Sequence, residues 1–202
     1  MKLHHNAAPA GLVALLRRLM AEPSLDDFEL VGGTSLALQF GHRISIDIDL
    51  FTASYFDAAA LAPRLTDAFG LMEVRVNENS LSGIIAGIKI DLLAHRYPTL
   101  QAGKVMDGIR FMSVADGAAM KLNAIANRGS KKDFWDLHEL LRHFTIAEMF
   151  DFYRRKYPSG SLWQVQKSLS YFDDADAEPD PRDLRGIGWT EIKAALSQSS
   201  RF

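Results

Sequence analysis

Two hydrophobic rhythms divide the chain. Apolar residues recur at helical spacing over 10–22, where Leu12, Leu15, Leu16 and Leu19 share one face. Phe28 to Val31 reads as a short strand, and Leu36 to Phe40 as a short helix opened by Gly32-Gly33-Thr34-Ser35. From Ser45 to Phe51 polar and apolar residues alternate, which predicts a half-buried strand with Asp47 and Asp49 on one face. Helical spacing returns over 56–69 through Leu61, Leu65 and Phe69. A strand follows over 72–77, and residues 81–85 and 88–95 predict a hairpin turning at Ala86-Gly87. Beyond a loop with Pro98 and Gly103 the pattern turns helical. One helix is capped by Ser113 and runs to about Arg128, and another opens at Lys131. Further helices are expected over 145–156, 161–171 and 189–197. This order predicts an α+β fold, not a βαβ series.

Composition narrows the picture only a little. The 202 residues are 48% hydrophobic, enough for one compact core or a core with a helical appendage. Cysteine is absent, which rules out disulfides and thiolate metal sites and fits a reducing compartment. The apolar run from Leu12 to Met20 is split by Arg17 and Arg18 and is too short for a bilayer, and the first residues do not resemble a signal peptide. A cytoplasmic protein with no membrane partner is the expectation. The net charge of −2 advertises no global nucleic-acid field, so any RNA contact needs a local patch. Lys131, Lys132, Arg142, Arg154, Arg155 and Lys156 could form one, or could be a solvated face.

The chemistry concentrates between Val31 and Phe51. Asp47 and Asp49 would stand about 6–7 Å apart on one strand face, and two carboxylates that close repel unless a cation lies between them. Small residues at a helix start leave backbone N–H groups free for a phosphate. Asp91, on a later strand with Lys89 on the same face, offers a third carboxylate, although it could simply pair with Lys89 or Arg96. Lys121 and Arg128 fall on the rim of the Ser113-capped helix, and Asp133 and Asp136 lie three apart at the start of the next. Simpler readings exist for each. Asp116 is a capping acid, Asp133 and Asp136 could merely favour a helix N-terminus, and His42 beside Arg43 reads as loop surface. The six acids of 173–183 read as a solvated loop.

Gly-Gly-Thr-Ser, eleven residues, then Asp-Ile-Asp resembles the first motif of the polymerase-β-like nucleotidyltransferases. Within them it is most similar to the AbiEii/AbiGii group, toxins of toxin–antitoxin and phage-defence systems. Lys89-x-Asp91 resembles the second motif, and the span from Ala115 through Lys121 and Ala124 to Arg128 the third. Lys132-Asp133-x-x-Asp136-Leu137 resembles the fourth, with Lys132 where arginine is commoner. The resemblance implies a nucleotidyltransferase core over 1–112 and a helical region over 113–202 that closes the cleft. It implies Mg²⁺ or Mn²⁺ on Asp47, Asp49 and Asp91, with Lys121, Asp133 and Asp136 completing the catalytic set. The NTP would contact Gly32, Gly33, Thr34, Ser35, Lys89, Lys121 and Arg128. The implied partners are an RNA acceptor, the tRNA 3′ end foremost, and a cognate antitoxin protein. A protein or small-molecule acceptor, or a nucleotide-binding module without turnover, stays open as the alternative.

Overall fold

The computed structural model describes residues 2–199. Helix α1 (Ala10–Met20) buries the Leu12, Leu15, Leu16, Leu19 stripe. Strand β1 (Glu29–Val31) runs straight into α2 (Gly32–Phe40), and Gly41 at φ +66° ends that helix in the left-handed conformation that favours glycine. Strand β2 (Ile48–Thr52) carries the acids, with Ile48, Leu50 and Thr52 turned inward. After α3 (Ala58–Phe69), capped by Asp57, come β3 (Met72–Asn77), β4 (Ser80–Ile85) and β5 (Ile88–Ala94). The turn between the last two falls on Ala86 and Gly87, both at positive φ as a tight two-residue hairpin requires.

A second hairpin, β6 (Lys104–Met106) and β7 (Ile109–Phe111), occupies what the sequence reading left as loop. Its turn, Asp107-Gly108, has φ of 53° and 74°. An Asp-Gly pair between short apolar runs is a strong local hairpin signal, and the loop reading passed over it. The seven strands form one mixed sheet in the order β3-β4-β5-β2-β1-β7-β6. β2 lies parallel to β5 and antiparallel to β1, while β1 and β7 are parallel.

Helices α4 (Val114–Asn127), α5 (Lys131–Leu140), α6 (Ile146–Lys156), α7 (Leu162–Ser168), α8 (Asp173–Asp176) and α9 (Trp189–Ser199) complete the chain. Two apolar clusters result. One joins α1, α3 and the sheet from Leu3 to Phe111. The other takes Leu36 of α2 and the helical side from Ala118 to Leu196. Helix α2 touches both, and the space between α4 and the sheet is the cleft described next. Among the described residues no helix is long and apolar enough to cross a membrane.

Candidate active site

Three strands and one helix start meet at Asp49. Val31, the last residue of β1, is paired with Asp49, and Asp49 is paired with Asp91 across the parallel β2–β5 ladder. The chain turns into α2 at Gly32, whose φ is +68°. A Cβ there would lie 2.4 Å from Asp49 Oδ2, so only glycine lets the carboxylate rest against the helix start. Val31 stands at the N-cap with no side-chain acceptor to offer, which leaves the first-turn amides of α2 to other partners. The Thr34 hydroxyl donates to the Asp47 carbonyl and to Ser45 Oγ, while Ser35 Oγ accepts from Gln39 Nε2. Both hydroxyls are buried. The Thr34 hydroxyl fastens α2 to the segment leading into β2, while the Ser35 bond stays within the helix.

Burial raises the pKa of the Asp49 carboxyl; the neighbouring Asp91 and Asp47 carboxylates push it further up, against the pull of Lys121 and Lys89. Asp47 sits one residue before β2 with its Oδ2 3.8 Å from Lys132 Nζ. Asp91 Oδ2 accepts from Lys89 Nζ at 2.5 Å, the pairing considered from sequence as the simpler alternative. Among the described residues no three histidine or acidic side chains stand in a cluster that would grip a cation. The fit to magnesium is therefore one of donor chemistry. The set is all carboxylate oxygen, the donor a hard divalent cation prefers, and Asp91 and Asp47 add to the burial that already disfavours the Asp49 charge.

Behind the acids lies a buried ion network. Asp136, fully enclosed on α5, accepts from Arg43 Nε and Nη2 at 2.7 and 2.9 Å. It also meets His42 Nε2 at 2.7 Å and Lys121 Nζ at 2.6 Å. The same ammonium donates to Asp133 at 2.8 Å, and Asp133 is further held by Arg128 through Nε and Nη2. Burial would raise both carboxyls, yet the cations around them hold Asp133 below the ordinary range and Asp136 well below it. Burial likewise depresses Lys121, but Asp136 and Asp133 outweigh it and the ammonium stays charged.

Two expectations are corrected here. His42 is not loop surface: the left-handed Gly41 turns the chain inward and buries both His42 and Arg43 on Asp136. Lys121 is not on a rim; it is 5% exposed at the floor of the cleft, because α5 closes over it. Arg43 had no place in the sequence-derived site. No local signal marked it, because the helical neighbours of Asp136 at three and four residues are Lys132, Asp133, Glu139 and Leu140, a mostly polar face.

The cleft has a volume of about 340 Å³. Asp49 and Phe51 of β2 line it together with Lys121, Asn123 and Asn127 of α4, Arg128 just past that helix, and His95 and Tyr157. Burial and the nearby Lys156 lower the His95 pKa to about 4, so it is neutral near pH 7. Arg128, with 57% of its side chain exposed, is the open end of the network.

The six-residue basic patch does not form. Lys131 is buried against Glu178, Asp180 and the Trp189 ring, and Lys156 against Asp116 and the Pro98 carbonyl. Arg154 and Arg155 approach Asp151, and Arg142 approaches Glu139. The acidic stretch is likewise not a free loop. Asp176 binds Trp189 and Lys193, Glu178 and Asp180 bind Lys131, and Asp183 binds Trp135. Lysines and indole N–H groups on α5 and α9 supply these acids with donors, so the stretch straps the helices together.

Known proteins resemble this chain in sequence or in fold. An uncharacterized protein of Aquifex aeolicus is 34% identical over 169 residues, spanning 81% of this chain and 82% of that one. The crystal structure of a putative nucleotidyltransferase from Helicobacter pylori superposes with a TM-score of 0.59 at 18% identity, covering 94% and 89% of the two chains. MenT4, a nucleotidyltransferase toxin of Mycobacterium tuberculosis, gives 0.58 at 14% identity over 93% and 87%. These likenesses establish the polymerase-β-like fold. The family model described as nucleotidyl transferase AbiEii toxin, type IV toxin–antitoxin system, matches residues 14–105 and 88–199. With nearly the whole described chain matched and a relative at 34% identity, the chain belongs to the AbiEii nucleotidyltransferase toxin family.

Proposed function

We propose that the protein transfers a nucleoside monophosphate from an NTP to a hydroxyl of an RNA acceptor, the tRNA 3′ end foremost, in a metal-dependent reaction. The observation that carries this reading is Asp49: a carboxyl raised by burial and then by its neighbours Asp91 and Asp47, set against a glycine-opened helix start and lining a cleft floored by Lys121. The triphosphate lies between the first-turn amides of α2 and the cations Lys121 and Arg128, and the nucleoside occupies the cleft toward His95 and Tyr157. Mg²⁺ or Mn²⁺ on Asp47, Asp49 and Asp91, in a two-ion arrangement, would supply the charge that neutralises the reacting phosphates. Asp49, with its raised proton affinity, polarises the acceptor hydroxyl. The acceptor oxygen then bonds to the α-phosphorus as the bond to the leaving pyrophosphate breaks, and the hydroxyl proton passes to the carboxylate or to solvent. Most of the rate comes from positioning and from charge neutralisation.

Labelled NTP, magnesium and total tRNA test this directly. Label should pass to RNA, and Asp49→Asn should reduce transfer by about three orders of magnitude without lowering the melting temperature. Undiminished transfer by that variant would remove the acid strand from the mechanism. Tight NTP binding with no transfer to RNA, protein or small alcohols would mark a binding module. As a toxin partnered by an antitoxin, the protein should slow growth of a bacterial host when expressed alone, and the Asp47→Ala form should not.

A further inference from the structure

The acid strand borders a second cavity that the nucleotide does not need. It measures about 630 Å³ and is lined by Ile44 to Asp47, Lys132, Pro181 and Arg182, with Arg43 among its walls. The division between the two cavities falls within β2 and its approach. Asp49 and Phe51 face the first, while Asp47 and the residues before it face the second. An in-line displacement at phosphorus needs the nucleophile and the leaving group on opposite sides of the reacting atom. One cavity bordered by Asp49 and another bordered by Asp47, two residues earlier, can meet that need, one for the triphosphate and one for the attacking hydroxyl.

We propose that the second cavity is the acceptor groove, and that it takes the 3′ end of single-stranded RNA, with Lys132 and Arg182 on its phosphates. This rests on the nucleotidyl-transfer reading above. The charges support the assignment. Arg43 is consumed by Asp136, but Lys132 is only 3.8 Å from Asp47 with its side chain 47% exposed, and Arg182 is exposed. Lys131 and Lys156 are buried in pairs of their own, whereas Lys132 and Arg182 line the cavity beside Asp47. Ile46, 62% exposed, and Pro181 give the groove apolar surface for ribose and base faces. The far wall is held in place by backbone pairing. Ile44 N–H donates to the Arg182 carbonyl at 2.8 Å and Leu184 N–H to the His42 carbonyl at 2.9 Å. The Arg182 side chain has no part in that pairing, so replacing it leaves the wall standing.

Fluorescence anisotropy of a labelled single-stranded oligoribonucleotide, with no NTP present, reads the groove without turnover. Arg182→Glu in the full chain should weaken binding about tenfold and lower the slope of log affinity against log salt by about one, with the melting temperature unchanged. Arg182→Lys should bind nearly as the parent does, since a phosphate contact needs the charge. In the transfer assay the KM for RNA should rise in Arg182→Glu while the KM for NTP stays put. Unchanged RNA affinity and salt slope in Arg182→Glu would overturn the groove, and so would transfer to a protein or small alcohol but never to RNA. If the parent transfers nothing while the RNA affinity still falls in Arg182→Glu, the groove stands and the nucleotidyl-transfer reading fails.

Discussion

Helix α4 carries a buried ion centre at each end, and the two differ in one respect. Near its start Asp116 is enclosed by Lys156, the Ser113 hydroxyl and the backbone N–H groups of Leu100 and Gln101. Near its end Lys121 joins Asp133 and Asp136, which also bind Arg128, Arg43 and His42. The first centre is closed on every side, for Lys156 is as buried as its partner. The second ends in an exposed guanidinium at the mouth of the cleft. A closed centre can only hold the fold together. An open one holds the fold and also presents charge to a ligand.

The largest expected effects break each centre in turn. Asp116→Ala strands Lys156 and Asp136→Ala strands Arg43, leaving Lys121 on Asp133 alone, and each should cost about 3–5 kcal/mol in denaturant melts. At a temperature where both variants remain folded, only Asp136→Ala should lower kcat. A comparable kinetic loss in Asp116→Ala would erase the distinction. Next comes Lys121→Met, which should lower kcat/KM by about one to two orders of magnitude, the worth of a charge-assisted contact in a partly dry cleft. It should also destabilise the fold, since both carboxylates lose a partner. Lys156→Met should destabilise while leaving the kinetics of the folded protein unchanged. Smaller still is Arg128→Lys. Its exposed side chain makes a stability change of under about 1 kcal/mol the expectation, but loss of the two-pronged donor should raise the KM for NTP severalfold.

The smallest effect lies in acid. Asp116 and Asp136 both have folded pKa values below the ordinary 3.8, despite burial, because cations and hydrogen bonds favour the charged form. Their stabilisation is therefore fully present above about pH 4 and is lost as pH falls through the depressed values. Asp136 is the more depressed, so the closed centre should titrate first. Carboxyl chemical shifts followed by NMR from pH 5 downward would show the order, and Asp136 titrating before Asp116 would contradict it.

The acid strand, the glycine turn, the Ala86-Gly87 hairpin and the α4 cap were all legible in the sequence, because each is written locally at a fixed period or spacing. What escaped was non-local. Lys121 sits on a helix edge by periodicity alone; only α5 arriving above it makes that edge a floor. Arg43 lies ninety-three positions from Asp136, and nothing near it announces a partner. The same limit hid the fate of Lys131 and Lys156, whose acids come from 178–180 and from α4. Net charge could not separate these buried lysines from Lys132. Asp107-Gly108 is a different case, a local signal that was present and was passed over.

One contact at the cleft ties three distant positions into a single unit of inheritance. A Cβ on Gly33 would lie 2.1 Å from Arg43 Nη2, the same nitrogen that holds Asp136. A lineage that acquired alanine at 33 would displace the guanidinium and leave the buried Asp136 carboxylate with only Lys121 and His42 in one step. A lineage that first lost the arginine would meet the same underpaired acid before any side chain at 33 became tolerable. Gly33, Arg43 and Asp136 should accordingly change together across related genes or not at all, as an epistatic triplet whose single-step intermediates are rarely seen.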